Sequence, residues 1–435
     1  MPVAADPSAP LREEEIARLL SPLRRFPHVA LAVSGGADST ALMVAANRWR
    51  GLVPNPPRIT VLTVDHALRP ESGEEARRVL DRAQALGLPC HILRREGPRP
   101  RSGVQQAARH ARYALLGDWC VEHGAALATA HHLEDQAETF LMRLARGSGV
   151  DGLAAMAAES RLEDRDVPLL RPFLEVPRAR LAATVRAAGM DWIEDPSNAD
   201  ASYERVRMRR LMPELAGAGI AARDIATSCR RLHRAAEALR AWCRTFLTRH
   251  LVCHAVHGWG EVPLEPLLEL PCETRLRVLE ALVRIFGRPR RLRLAAIERL
   301  DEWLVDGTAR ARVLGGARLA RRRRVLVVGR EPGRLHAETP LEPDRAEVLW
   351  DDRFLVRVPP PHPPLVILPL EAVRPPEGFP ARPSAVPAFA WRTLPVICSA
   401  PERRPLACPA ADWRAATAEA DRAVTIFRKC NGVSG

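Results

Sequence analysis

Lysine is all but missing from this chain. Lys429 is the only one among 65 basic residues in 435, so arginine carries nearly all the positive charge. Cysteine is sparse: the nine are scattered and form no C-x-x-C pair, so neither a zinc pattern nor a disulfide framework is readable. No run of about 18 apolar residues occurs, which argues against a membrane span. The N-terminal stretch has no apolar segment and carries three consecutive acids, Glu13–Glu15, unlike a secretory signal. A reducing cytoplasm is therefore the expected location. Internal repeats are absent, as are a Walker G-K-[ST] and a G-x-G-x-x-G, so kinase-like, GTPase-like and dinucleotide-binding readings are disfavoured.

What is present is an ordinary globular composition, 47% hydrophobic and 27% charged, enough to bury a core. The net charge of +13 favours a polyanionic partner such as nucleic acid, because surface cations release counterions from phosphates. The bland alternative is a source that simply encodes much arginine.

The first part alternates apolar strand-like runs (His28–Val33, Ile59–Val64, Pro89–Leu93, Ala125–Ala130) with amphipathic helical stretches (Asp38–Trp49, Glu71–Leu86, Val104–Glu122, Leu133–Arg146). That alternation predicts an α/β fold with a doubly wound parallel sheet, whose ligands bind beyond the carboxyl ends of the strands. Long helical patterns follow over Asp224–His250, Leu264–Phe286 and Leu294–Val305, with arginine runs at Gly287–Arg293 and Arg321–Arg324. From about Glu331 prolines become frequent and leave room only for short β segments, such as Phe354–Val358 and Pro364–Leu368, with a helical tail near Asp412–Ala423. Three domains are expected: 1–215 catalytic, 216–330 helical, and 331–435 small and β-rich.

The sharpest local signal is Ser34-Gly35-Gly36-Ala37-Asp38-Ser39, directly after the first strand and opening a helix. Glycines without a Cβ let backbone N–H groups approach phosphate oxygens, and the helix N-terminus adds free donors and a positive dipole end. Ser34, Ser39 and Thr40 supply hydroxyls. Asp38 would repel phosphates unless a cation lies between, which suggests a magnesium ligand, with helix capping as the structural alternative. This loop resembles the PP-loop of the ATP pyrophosphatase family. The resemblance implies ATP as substrate and cleavage between its α- and β-phosphates.

Further stretches narrow the branch: VDHALRPES (64–72), QQAARHARY (105–113), TAHHLEDQAET (129–139), RGSGVDGL (146–153), LLRPFL (169–174) and DWIEDPSNADASYER (191–205). Together, in this order over about 215 residues, they resemble the tRNA(Ile)-lysidine synthetase family. The resemblance implies adenylation of the wobble cytosine of a CAU-anticodon isoleucine tRNA at ring carbon 2, then displacement of AMP by the ε-amine of free L-lysine. It also implies Mg2+, no membrane, and a monomer or homodimer.

Elementary chemistry agrees with that reading. Arg109 and Arg112 are one helical turn apart and can face one site, where arginine grips phosphate in a bidentate way. His131 could hydrogen-bond ATP, the cytosine or a phosphate. Asp135 could hold magnesium or orient the lysine ammonium, which must lose a proton before it attacks. The catalytic candidates are Asp38, Arg112, His131, Asp135 and Arg205, the ATP-binding residues Ser34 to Ser39, and the metal ligands Asp38 and Asp135. His132 reads as structural, His66 and Arg69 as loop residues, and Asp195 as functional through its neighbourhood.

The chain departs from the family pattern at Glu134, where Asp is usual, at Val206, where Asn is usual, and at Gln106, where Glu is frequent. LWDDRFLVR (349–357) matches the family's C-terminal part, expected to grip the acceptor stem, only weakly. Competing readings are a tRNA thiolase, disfavoured by isolated Cys90 and Cys120, a PP-loop synthetase for a small molecule, and a tRNA-binding protein with a degenerate site.

Overall fold

The computed structural model describes residues 8–435 except 66–70, 96–103, 163–164, 195–203, 290, 308, 334, 336–337, 415–423 and 428–435. The chain forms two compact units, Met1–Ala236 and Glu237–Gly435.

The first unit is built on alternating strands and helices: α1 (Glu13–Leu20), β1 (His28–Ala32), α2 (Ala37–Leu52), β2 (Arg58–Asp65), α3 (Ser72–Ala85), β3 (Cys90–Arg94), α4 (Val104–Glu122), β4 (Ala126–Ala128) and α5 (Leu133–Leu144). Then come α6 (Val150–Leu153), β5 (Glu159–Arg161), β6 (Pro168–Leu170), α7 (Arg178–Ala187), α8 (Glu204–Gly217) and α9 (Ala222–His250), within which the division between the units falls. The sheet order is β3-β2-β1-β4-β6-β5; all neighbours are parallel except β5 with β6. The chain therefore reverses direction across the sheet between β1 and β4, the switch point at which open α/β sheets leave a crevice.

Side-chain alternation explains the layering. Along β1, Val29 and Leu31 point to a core with Leu42 and Trp49 of α2, Val79 of α3 and Leu181 of α7, while Ala30 points to Leu116 and Trp119 of α4 on the other face. Helix α2 is buried along most of its length, which places its N-terminus firmly at the end of β1. Ala137 of α5 packs with Ile225 and Cys229 of α9, and Phe140 and Met212 of α8 join them.

The second unit is not simply helical over 252–330. Helices α10 (Leu264–Leu268), α11 (Cys272–Phe286) and α12 (Leu294–Asp306) accompany an antiparallel sheet of β7 (Val252–His254), β8 (Trp259–Pro263), β9 (Ala311–Leu314), β10 (Ala317–Arg322) and β11 (Val325–Arg330). The expected helix Leu264–Phe286 is interrupted because Pro271, extended at ψ 141°, cannot continue it and instead caps α11. The Arg321–Arg324 run ends β10 with Arg321 and Arg322 and makes the β10–β11 hairpin turn with Arg323 and Arg324.

Beyond it lie β12 (Thr339–Leu341), β13 (Glu347–Trp350), β14 (Phe354–Arg357), β15 (Leu365–Pro369), α13 (Ala388–Arg392), β16 (Pro395–Ser399), β17 (Pro405–Cys408), β18 (Trp413–Arg414) and β19 (Val424–Phe427). The β-rich expectation for this stretch holds. The helical tail does not begin at Asp412: Trp413–Arg414 pairs with β17 as a strand, and 415–423 lie outside the described residues. One hydrophobic core joins Leu279 and Trp303 to Leu326, Trp350, Ile367 and Ile397, so 237–330 and 331–435 form one unit rather than two separate domains. Among the described residues no helix is long and apolar enough to cross a membrane.

The segment before α1 is tied to α7 by Arg180. This buried side chain holds both oxygens of Glu15 at 2.7–2.8 Å and donates to the carbonyls of Ala9 and Pro10. The Arg180 hydrogen bonds hold the Glu15 carboxyl down at about 2, against an ordinary 4.5. A depressed carboxyl contributes stability above its unfolded value and loses it as pH falls towards the folded one. Arg180→Met should therefore cost about 1–3 kcal/mol at pH 7, read as a lower thermal midpoint, and should flatten the acid-side loss between pH 4.5 and 2. An unchanged midpoint would show the pair to be inert.

Candidate active site

The phosphate loop is shaped by two constraints. Gly35 has φ +87°, and a Cβ there would lie 2.7 Å from Ile193 Cδ1, so alanine is excluded by backbone strain and by contact. Gly36 caps α2 in an extended conformation. Ser39 Oγ accepts the Ser34 N–H at 3.1 Å and donates to the Gly36 carbonyl at 3.0 Å, while Thr40 Oγ1 donates to the Gly35 carbonyl at 3.3 Å. The first turn of α2 thus presents N–H groups that lack an acceptor within the helix at the wall of a cavity of about 1040 Å³.

The facing wall comes from β4, the neighbour of β1. Thr129 to His132 lead from its end into α5, where the His132 N–H is capped by Asp135 Oδ2 at 3.0 Å. The His132 ring is buried among carboxylates. Its Nδ1 lies 3.0 Å from Glu134 Oε2, and its Nε2 lies 3.6 Å from Asp38 Oδ2 and 3.5 Å from Asp135 Oδ2. Burial opposes the charged ring, but the contacts with Asp38 and Glu134 outweigh it and raise the pKa to about 9. The same contacts keep Asp38 and Glu134 below their usual values against the upward push of burial.

His131 is the opposite case. Burial, then the nearby guanidiniums of Arg171, Arg109, Arg205 and Arg112, hold it well below its ordinary value, so it is neutral at pH 7. Thr129 Oγ1 sits 2.9 Å from its Nδ1, leaving Nε2 as the other ring nitrogen of a residue that lines the cavity.

Arginines complete the walls. On α4, Arg112, which lines the cavity, and Arg109, which does not, lie 5.5 and 5.0 Å from the Tyr113 ring centroid. On α8, Arg205 donates to Glu138 at 2.6 Å and to Asp135 at 2.8 Å, and Arg209 donates to the other Glu138 oxygen at 2.8 Å. Glu138 is fully buried between the two guanidiniums. On α7, the Arg178 N–H donates to Glu134 Oε2 at 3.0 Å, and its Nε stands 3.6 Å from Asp38 Oδ1.

The structure gathers Ser34, Gly36, Ala37, Asp38, Ser39, Arg112, His131, Asp135 and Arg205 around this one cavity, while Gly35 shapes the loop from behind. His66, Arg69 and Asp195 lie outside the described residues. Sequence reasoning passed over Glu138, Arg178 and Arg209, and read His132 as structural. The spacing held a usable signal: carboxylates at 135 and 138 on α5 and arginines at 205 and 209 on α8 each lie one helical turn apart. The longer Glu134 reaches both the His132 ring and the start of α7. Val206 is buried in α8. Among the described residues no cysteine lines the cavity; Cys90 and Cys120 are pushed up to about 11 and 12 by burial, which makes them poor thiolates.

The donor set also bears on a metal. Asp38 Oδ1 is buried without a hydrogen-bond partner, as an oxygen kept for a cation would be. Asp135 has Oδ1 on Arg205 and Oδ2 on the His132 N–H. Among the described residues no cluster of three or more His, Cys, Asp or Glu side chains could hold an ion alone. These residues fit Mg2+, which keeps waters and is typically held by one or two carboxylates plus phosphate oxygens.

Comparison with known proteins places this geometry in context. The PP-loop domain family matches residues 10–215. A tRNA(Ile)-lysidine synthase of Bradyrhizobium diazoefficiens is 42% identical over 317 residues, covering 70% of this chain and 87% of the relative. One of Methylobacterium nodulans is 45% identical over 312 residues, covering 71% and 90%. One of a Methylobacterium species is 44% identical over 347 residues, covering 76% and 98%.

The cluster around His132 fixes a pH dependence. Its folded pKa of about 9 lies above the ordinary 6.5, so its stabilisation is fully present below pH 6.5 and is lost as pH rises through 9. Between pH 7 and 10 the protein should lose on the order of 1–3 kcal/mol that His132→Gln does not lose. Urea denaturation at several pH values reads this, and parallel curves for the two proteins would contradict it.

Proposed function

Since this chain belongs to the tRNA(Ile)-lysidine synthase family, an ATP-dependent ligase acting on tRNA, we propose that it adenylates the wobble cytosine of a CAU-anticodon isoleucine tRNA and then couples L-lysine to it. The observation that carries the reading is the single cavity in which the phosphate loop faces Arg112, His131, Asp135 and Arg205.

In the first step the cytosine O2 attacks the α-phosphorus of ATP, and the bond to pyrophosphate breaks. In the second the lysine Nε attacks ring carbon 2, and AMP leaves with the former carbonyl oxygen. Both steps gather negative charge on phosphate oxygens, so fixed donors and cations are the main catalytic resource. The N–H groups of Ala37, Asp38 and Ser39 with the Ser34 and Ser39 hydroxyls bind the phosphates. Arg112 and Arg205 stabilise the charge that develops on them. His131, held neutral and buried, offers a ring nitrogen as a hydrogen-bond partner to ATP, the cytosine or a phosphate.

Asp38, through the oxygen that no protein donor occupies, would hold Mg2+. Bound there, Mg2+ would neutralise phosphate charge. Asp135 orients Arg205 and remains the second carboxylate within reach of the ion or of the lysine ammonium. The arginine-rich regions 216–330 and 331–435 contact the tRNA, the latter at its acceptor stem. The protein works in the cytoplasm as a monomer or homodimer. The thiolase alternative is disfavoured because a sulfur transfer through cysteine or an iron–sulfur cluster needs thiolates at the loop, and among the described residues no cysteine lines the cavity.

Incubation with ATP, Mg2+, labelled lysine and the CAU-anticodon transcript should give acid-precipitable label. Asp38→Ala should lower it at least about 100-fold. Pyrophosphate release without label would overturn lysine as the nucleophile, and neither signal despite tRNA binding would overturn the enzymatic reading.

A further inference from the structure

The arginines at and near the cavity are not equivalent, and Arg112, which also lines it, stands over the Tyr113 ring. Arg205 and Arg209 have their heads fixed on Glu138, and Arg205 also on Asp135. Arg180, two residues beyond Arg178 on α7, is consumed by Glu15 and two carbonyls away from the cavity. Arg171 is committed through Nη1 to the Ala157 carbonyl and the Ser160 hydroxyl. Arg178 differs. Its base is anchored, because its backbone N–H donates to Glu134 Oε2 at 3.0 Å. Its guanidinium makes no hydrogen bond among the described residues, and the side chain is 45% exposed while lining the cavity.

The nearest anion to that guanidinium is Asp38 Oδ1, 3.6 Å from Nε. That distance is an ion-pair contact too long for a hydrogen bond, and Asp38 Oδ1 is itself buried without a hydrogen-bond partner. A closed structural pair would bring the two within hydrogen-bond distance, as Arg205 and Arg209 come to Glu138 at 2.6 and 2.8 Å. Instead a held arm with an unfilled fork stands beside the aspartate of the phosphate loop, across from the first turn of α2. A guanidinium in that position matches the geometry of phosphate oxygens, which it can grip through two N–H groups at once.

We propose that Arg178 is a further ligand of the nucleotide site, binding the β- and γ-phosphates of ATP and the pyrophosphate that leaves. The inference rests on the reading of this cavity as the ATP site. In the ligand-free protein Asp38 holds the guanidinium loosely, and polyphosphate takes it over. The longer carboxylate at Glu134 is what fixes the start of α7 for this purpose, since it reaches both the His132 ring and the Arg178 N–H.

Isothermal titration of the full chain with ATP, inorganic pyrophosphate and AMP separates the possibilities without any tRNA reaction. Arg178→Ala should weaken ATP and pyrophosphate at least about tenfold and AMP less than about twofold, since AMP has no β- or γ-phosphate. Arg178→Lys should recover part of the loss, as a point charge does without the planar fork. Equal affinities for all three ligands in wild type and Arg178→Ala would overturn the assignment. So would an equal loss for all three in both variants, which would make Arg178 a structural residue. If the wild type itself binds neither ATP nor pyrophosphate, the reading of the cavity falls and this proposal falls with it.

Discussion

One buried imidazolium ties the site together. His132 lies among Asp38 from the helix after β1 and Glu134 and Asp135 from the helix it caps after β4. Those two strands are neighbours at the point where the sheet changes winding direction, so the fold brings three carboxylates to one crevice. Without a cation among them they would repel and take up protons. With the ring charged, Asp38 stays ionised and faces the loop that its own helix opens. Its sequence neighbour His131, ringed by arginines, is kept neutral by the same physics with the signs reversed. Two adjacent histidines thus hold different charge states because one faces carboxylates and the other guanidiniums.

The polarity spreads outward from there along alternating charges. Asp135 holds Arg205, Arg205 holds Glu138, and Glu138 holds Arg209, which links α5 to α8. Glu134 links α5 to α7 through the Arg178 N–H. A fully buried glutamate such as Glu138 is stable only when both oxygens are paired, and two arginines one turn apart do that. The second unit uses a comparable device. Asp351 accepts from Arg330 at 2.9 and 3.0 Å and from Arg353 at 2.8 Å, and burial pushes the Arg353 guanidinium down to about 10 against the pull of Asp351. There the ions fasten the β13–β14 hairpin to β11; in the first unit they surround a crevice open to a ligand.

The strand–helix alternation of the first 150 residues was legible because buried parallel strands are continuous apolar runs and their crossover helices are amphipathic. The loop at Ser34–Ser39 was legible because two glycines and a helix start have few other uses. The sheet at 252–330 was harder to see: β10 is half arginine, and only Ala317 and Leu319 alternate into the core, too short an apolar pattern to stand out. The roles of His132 and Glu138 were hidden for another reason. His132 has two acids close by in the linear order, Glu134 and Asp135, while the third, Asp38, reaches it only through the fold. Likewise the partners of Glu138 lie 67 and 71 residues on.

The charge of the His132 ring organises the site, and nitrogen NMR of the imidazoles observes it directly. With histidine labelled at both ring nitrogens, His132 should be doubly protonated at pH 7.5 and release its proton near pH 9, while His131 stays singly protonated down to the acid range. Replacing Asp38 with Asn should lower the His132 titration. A His132 ring that is neutral at pH 7.5, or that ignores the loss of the Asp38 charge, would contradict the claim that an imidazolium organises this site.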